Sequence, residues 1–274
     1  MLTRHTVAIV GAGNIGRALI GGLVASGAIE PGRIRATRRT PSALEELAGQ
    51  FPGIVTSIDN AAAVEGASIV VLSVKPQNAR DVLDGIRPHV ASDAMVVSVL
   101  AGVTTATLER ALGQELAVVR SMPNTPMIVD EGATAIAGGA FVTPDHLALA
   151  RRIFEGVGRV EEVPEALMDA VTGLSGSGPA YVYMFVEALT DAGVKQGLPR
   201  PVAFRLAAQT VFGAAKLVRD SGKHPAILRD EVTTPGGTAI AAVAELESHG
   251  LRTMMIHAVA VATERSRQLS ELKE

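Results

Sequence analysis

Short apolar runs alternate with stretches of helical spacing through the first half of the chain. Residues 7–10 are apolar at every position, and residues 16–26 follow with apolar side chains at three- and four-residue intervals. The alternation continues with a strand at 34–37, a helix at 42–50 whose start suits Pro41, and a short strand opened by Val55. Further apolar runs occupy 69–74, 95–100 and 117–119, and another strand is expected at 133–137. Runs without polar alternation suit strands buried on both faces, as in a parallel sheet with helices on either side. Right-handed crossovers then make this half an α/β, doubly wound, Rossmann-type fold.

Near residue 160 the pattern changes. From Pro164 onward no period-two alternation remains, and helices are expected at 165–173, 180–196, 199–221, 237–248 and 251–272. In the third, Ala203, Leu206, Ala207, Thr210, Val211, Ala214 and Leu217 share one face. The expected division is a dinucleotide-binding domain at 1–163 and an all-α domain at 164–274. Alanine-rich apolar faces on so short a segment suggest that the helical half also packs on a second subunit.

Composition narrows the class. With 274 residues, 47% hydrophobic and 19% charged, the chain can bury a full globular core. A net charge of -3 gives no electrostatic reason to expect nucleic acid or an anionic membrane as partner. Cysteine is absent, which removes disulfides, thiolate nucleophiles and cysteine-bound metals and agrees with a reducing cytoplasm. Arg4 and His5 ahead of an apolar run have the outline of a signal peptide, but glycines at 11, 13, 16, 21 and 22 and Arg17 interrupt it. No run reaches the ~18 apolar residues of a membrane-spanning helix. A soluble, cytoplasmic protein is expected. The six histidines have no carboxylate or second histidine at metal-ligand spacing, so no metal is expected.

Gly11-Ala12-Gly13-Asn14-Ile15-Gly16 ends the first strand and opens the first helix. In that context the glycines allow a tight turn, close approach of a pyrophosphate and close helix–strand contact. The helix N-terminus offers its N–H groups to the phosphates. An NAD site normally carries an acid at the end of the second strand; here that strand runs into Thr37-Arg38-Arg39, with no acid before Glu45. Arginine pairs with a 2′-phosphate where a carboxylate repels it, which favours NADPH, with NADH as the alternative. Ser73-Val74-Lys75-Pro76-Gln77 lies at the end of the next strongly apolar strand, where ligands bind in open sheets, and Pro76 keeps the backbone before it extended. Ala101-Gly102 takes the matching place after the following strand and leaves room for a nicotinamide ring. The loop Met122-Pro123-Asn124-Thr125-Pro126 adds two short polar side chains that could face the crevice.

A dinucleotide fold does not name a substrate, so the helical half must. Ser175-Gly176-Ser177-Gly178-Pro179-Ala180-Tyr181 reads as a sharp break before a new helix, and Thr233-Thr234-Pro235-Gly236-Gly237-Thr238 feeds another helix N-terminus. Both combine backbone N–H groups with hydroxyls, which together can hold a carboxylate without a cation.

With 11–16, Val74-Lys75-Pro76, 122–126, Glu131-Gly132-Ala133, 175–181, 191–198 and 232–238, the chain resembles pyrroline-5-carboxylate reductase over essentially its whole length. The resemblance implies reduction of 1-pyrroline-5-carboxylate to L-proline by NADPH or NADH, the last step of proline biosynthesis. It implies cofactor contacts at Thr37, Arg38, Asn60, Ser73, Val74, Lys75 and Ala101. It sets the substrate against the turn of Thr234, Pro235, Gly236, Gly237 and Thr238, with Glu165 and Glu231 lining the pocket. It also implies a homodimer through the helical domain, extending to a decamer of dimers. One position departs from the family: a threonine two residues beyond the second glycine is replaced by Ala239. Thr238 and Thr234 are then the candidate catalytic hydroxyls, although neighbouring helical residues point about 100° apart.

A protonated imine is already electrophilic, so the reaction needs mainly two reactants held face to face, which agrees with the shortage of acid–base residues. A β-hydroxyacid dehydrogenase would need a lysine and an asparagine on the first helix after the junction, and residues 165–194 hold neither. A non-catalytic NADP-binding sensor is the rival from another class, with Ala239 as its only support.

Overall fold

The computed structural model of the chain describes residues 2–113 and 115–271, without the side chains of Pro76 and Glu271. Two compact units form. The first runs to Ser177 and takes in the chain again from Val261; the second is Gly178–Ala260.

In the first unit, a run such as Val7–Val10 buries both of its faces. Val7 and Ile9 join Leu19, Ile20 and Phe154 in one apolar layer, while Ala8 and Val10 join Leu83 and Leu108 in the other. That is why no polar alternation marks this strand. Among the described residues eight strands make one sheet: β1 (Val7–Val10), β2 (Ile34–Thr37), β3 (Val55–Ser57), β4 (Ile69–Leu72), β5 (Met95–Ser98), β6 (Ala117–Met122), β7 (Gly132–Gly138) and β8 (Gly158–Glu162). Their order is β3-β2-β1-β4-β5-β6-β7-β8. Strand order therefore reverses between β1 and β4, and the crevice beyond their carboxyl ends is where such sheets take ligands. Helices α1 (Asn14–Ala25), α2 (Pro41–Gln50), α3 (Asn60–Val64), α4 (Ala79–Ile86), α5 (Thr105–Leu112) and α6 (Pro144–Glu155) connect the strands.

The sheet is parallel from β3 through β6, as the apolar runs imply, but β7 runs antiparallel to β6, with Arg120 opposite Ala137. The link between them holds only a 3-10 turn, Thr125–Val129, and cannot supply the crossover of about a dozen residues that a parallel neighbour needs. β8 was not foreseen. It pairs in parallel with β7 after α6, yet only Val160 of its five residues is buried, so no apolar run announces it.

The helix expected at 165–173 is instead a 3-10 turn, Glu165–Leu167, followed by α7 (Met168–Val171) and a π-helical turn, Thr172–Gly176. The expected break falls later than Ser175: Ser175 and Gly176 belong to the π turn, Ser177 is its C-cap, and a new helix starts at Gly178. Ser177 donates its N–H to the Thr172 carbonyl at 2.8 Å, and Ser175 Oγ donates to the Val171 carbonyl at 3.1 Å. These two groups are spent inside the turn.

Among the described residues five further helices follow: α8 (Gly178–Lys195), α9 (Arg200–Ser221), α10 (Pro225–Val232), α11 (Thr238–Ser248) and α12 (Leu251–Glu271). α10 was not expected; Pro225 opens it, and His224 Nδ1 accepts the Ala226 N–H at 3.2 Å as a cap. Leu272, the expected end of the last helix, and the rest of the expected domain to 274 lie outside the described residues. α8 meets α9 closely, because a Cβ on Gly193 would stand 3.0 Å from the Ala203 Cβ. On α9 only Ala203 and Ala207 of the expected stripe are buried, while Leu206 and Leu217 are exposed. Among the described residues, no helix is long and apolar enough to cross a membrane.

Candidate active site

The glycine turn between β1 and α1 is held from below by Thr37. Gly11 donates its N–H to Thr37 Oγ1 at 3.1 Å, and Ala12 donates to the Thr37 carbonyl at 2.7 Å. Thr37, expected to touch the cofactor, is 1% exposed, and its hydroxyl braces the turn. Gly11 has φ +92, and a Cβ there would lie 2.9 Å from the Ser73 carbonyl oxygen. A Cβ on Gly16 would lie 3.0 Å from the Gly11 carbonyl oxygen. Gly13 differs: nothing stands within 4 Å of its missing side chain, and as N-cap it leaves the first turn of α1 without a side-chain capping bond. Gly13 donates its own N–H to the Gly11 carbonyl at 2.8 Å, and the turn borders an open cleft at the uncapped start of α1, which fits an anionic pyrophosphate.

That cleft, of about 410 Å³, is lined by Gly11, Gly13, Thr37, Arg38, Asn60, Ser73, Val74 and Lys75, all expected from sequence, together with Arg39 and Thr40. Arg38 is half-buried at the end of β2, and its N–H donates to the Ser57 carbonyl at 3.3 Å, which sets the loop's course. Asn60 is the first residue of α3, capped by Asp59, whose carboxylate accepts the Ala61 and Ala62 N–H groups. Ser73 extends the β4 ladder by donating its N–H to the Val10 carbonyl. Ile58, Asn78, Asp81 and Val82 also line the cleft and were not foreseen. Of the other expected cofactor residues, Ala12 and Gly16 are buried in the turn, Asn14 lies on a neighbouring cleft, and Ile15 packs against the core. Pro76 opens a 3-10 turn, Pro76–Asn78, and Ala101 sits in the loop after β5.

Two expectations need correction or relocation. Asn124 does not face the crevice: its Nδ2 donates to the Ser175 carbonyl at 3.0 Å and its Oδ1 accepts the Ala133 N–H at 2.8 Å. It pins its loop to the π turn and to β7. Glu165, expected to line the substrate pocket, turns its carboxylate toward Thr105 and Arg120.

In the second unit, Gly236 takes a left-handed backbone with φ +68, and Gly237 donates its N–H to the Thr234 carbonyl at 2.9 Å. Thr234 Oγ1 lies against Gly237, where a Cβ would collide with it. This turn delivers Gly237 as N-cap and Thr238 as first residue of α11, again without a side-chain capping bond. Thr234 and Thr238 are exposed, and Ala239 is partly covered. Glu231 ends α10 nearby in sequence and pairs with Lys223 Nζ at 2.6 Å. Among the described residues, no three His, Asp or Glu side chains stand together as a metal site.

Residues 6–102 match the family model described as NADP oxidoreductase, coenzyme F420-dependent. Residues 165–269 match the model described as pyrroline-5-carboxylate reductase dimerisation. The chain is 43% identical over 270 residues to the pyrroline-5-carboxylate reductase of Methanosarcina acetivorans, covering 98% of this chain and 100% of the relative. The chain belongs to the pyrroline-5-carboxylate reductase family. Its fold is that of the family as well. The solved structure of a pyrroline-5-carboxylate reductase from Coxiella burnetii superposes with a TM-score of 0.92 at 36% identity, covering 97% of this chain and 98% of the other. The Plasmodium falciparum pyrroline carboxylate reductase, solved with NADP bound, superposes at 0.86 with 30% identity over 98% and 99% of the two chains.

Proposed function

We infer that the protein reduces 1-pyrroline-5-carboxylate to L-proline at the expense of NADPH, the last step of proline biosynthesis. Family membership supports the reaction, and the open space at Gly13 beside the uncapped start of α1 carries the cofactor reading. NADPH rather than NADH is favoured by Arg38 and Arg39 on the cleft and by the absence of an acid before Glu45. When bound, the reduced nicotinamide supplies a hydride to the imine carbon. Gly11, Gly13 and the α1 N-terminus receive the pyrophosphate, Asn60 and Lys75 flank the ribose and phosphate groups, and the Ala101 loop leaves space for the nicotinamide.

On the helical side, Gly236 and Thr238 present backbone N–H groups for the substrate carboxylate, Gly237 closes the turn between them, and Glu231 stands at its border. The Thr238 or Thr234 hydroxyl donates a hydrogen bond to the imine nitrogen, which must hold a proton when its carbon accepts the hydride. The functional division is taken at residue 163, just beyond the end of β8, with 164–274 as the helical half. The family match from 165 to 269 supports a homodimer built through that half, acting in the cytoplasm. Loss of NADPH absorbance on adding 1-pyrroline-5-carboxylate, with proline as product, tests the reading. Tight NADPH binding without turnover would replace it with a non-catalytic sensor.

A further inference from the structure

We propose that Glu165 is a positioning residue, which fixes the loop of residues 99–104 and through it the nicotinamide end of the cofactor site. This rests on the reading that Ala101 walls that end. The sheet supports the placement: with the pyrophosphate at β1 and the 2′-phosphate end at Arg38 after β2, the other half of the dinucleotide extends toward β4 and β5.

Glu165 has both carboxylate oxygens engaged by the protein. Oε1 accepts the Thr105 N–H at 2.8 Å and Oε2 accepts the Thr105 hydroxyl at 2.6 Å. Thr105 is the first residue of α5, so a residue sixty positions along the chain satisfies the opening N–H of this helix and places negative charge at its positive end. Arg120, on β6 and almost fully buried, approaches Oε1 at 3.4 Å and the Asp169 carboxylate at 3.9 Å. Asp169 in turn accepts the Ser266 hydroxyl at 2.7 Å. A buried guanidinium needs such partners, so the two carboxylates are held where Arg120 puts them.

The loop between β5 and α5 is therefore tied at both ends. At its start the Leu100 N–H donates to Ser98 Oγ at 3.2 Å, and Ser121 Oγ donates to the Ser98 carbonyl at 2.8 Å. At its end stands the Thr105–Glu165 clasp, and between them Gly102 turns the chain at φ +69. Releasing the second tie frees α5 to shift, and Ala101 with it. Productive hydride transfer depends on sub-ångström placement of the ring, so the loss falls on cofactor affinity and on turnover.

Glu165→Gln keeps the shape and one accepting oxygen but leaves one Thr105 donor unmatched and sets an amide against Arg120. The expected result is NADPH affinity lowered about tenfold, since a hydrogen bond to a charged group is of that order. kcat should fall with it, while KM for the imine stays within about twofold of wild type. Thr105→Val should give part of the same loss, and the double variant should be no worse than Glu165→Gln, because the two act on one contact. Should Glu165→Gln fail to fold, Thr105→Val carries the comparison alone. Unchanged NADPH affinity and kcat in folded variants overturn the proposal. So does a change confined to KM for the imine, which would mean direct substrate contact. Ala101→Leu tests the placement separately: full NADPH affinity in a working enzyme also overturns it. Absence of turnover in the wild-type protein strikes the reductase reading instead.

Discussion

Gly11 and Gly13 stand two residues apart and respond oppositely to the same added atoms. At Gly11 the backbone is left-handed and a methyl would press on the Ser73 carbonyl, so Gly11→Ala should cost stability. At Gly13 the space is open, so Gly13→Val should leave the melting temperature nearly unchanged while NADPH binding, followed by fluorescence titration, is lost. Arg38→Asp should weaken NADPH far more than NADH, by about 100-fold or more, because it exchanges a charge-assisted pair for repulsion. Equal losses for the two cofactors would remove Arg38 from the 2′-phosphate. Thr238→Ala should lower kcat by about tenfold if its hydroxyl serves the imine nitrogen in place of the residue that Ala239 replaces. Full activity would move that role to Thr234. The glycine turn was legible in the sequence because a strand, three glycines and a helix must follow in that order to make it. Ile58, Asn78 and Asp81 were not legible: they reach the cleft from loops and from the first turn of a helix, where no periodicity marks a side chain's direction. Glu165 was singled out only by resemblance. Its partners, Thr105 and Arg120, are distant in sequence, and nothing local joins them.

Elements buried on both faces declared themselves, and elements buried on one side of the molecule's margin did not. β1 has the expected bounds because every residue repeats the same apolar signal, and β2 has them although Arg35 interrupts it, because Ile34 and Ala36 are buried in the same core as β1. β8 buries a single side chain, and its place depends on Gly158 lying against Gly132 across the β7–β8 pair. A Cβ on Gly158 would collide with the Gly132 backbone. Gly158→Ala should therefore lower stability by about 2–4 kcal/mol in denaturant melts, with little change in the NADPH affinity of the folded fraction. The π turn at Thr172–Gly176 was read as a break for a related reason. Glycine and serine weaken helix propensity, but here their backbone groups are satisfied by one-residue-wider bonding, which no propensity scale registers.

At the scale of the molecule, the second unit buries little of its own apolar surface. Among its described residues only Ala203, Ala207 and Thr190 are buried, while Phe185, Phe204, Phe212, Leu217 and Met255 are exposed. Such faces need a partner, and together with the family match they support association through this unit. Light scattering should give twice the chain mass, and Phe212→Asp should shift the protein toward monomer with loss of activity. A wild-type monomer would refute the dimer. The first unit has its own peculiarity: it is written in two pieces, with Val261 onward returning to it after Gly178–Ala260. During synthesis the ribosome therefore finishes the helical unit before it releases Ser266, the last member of the chain of contacts that reaches Asp169, Arg120, Glu165 and Thr105. A nascent chain stalled in its final helix would hold the glycine turn and the Thr105–Glu165 clasp, but not the Ser266 bond that fixes Asp169 beside Arg120.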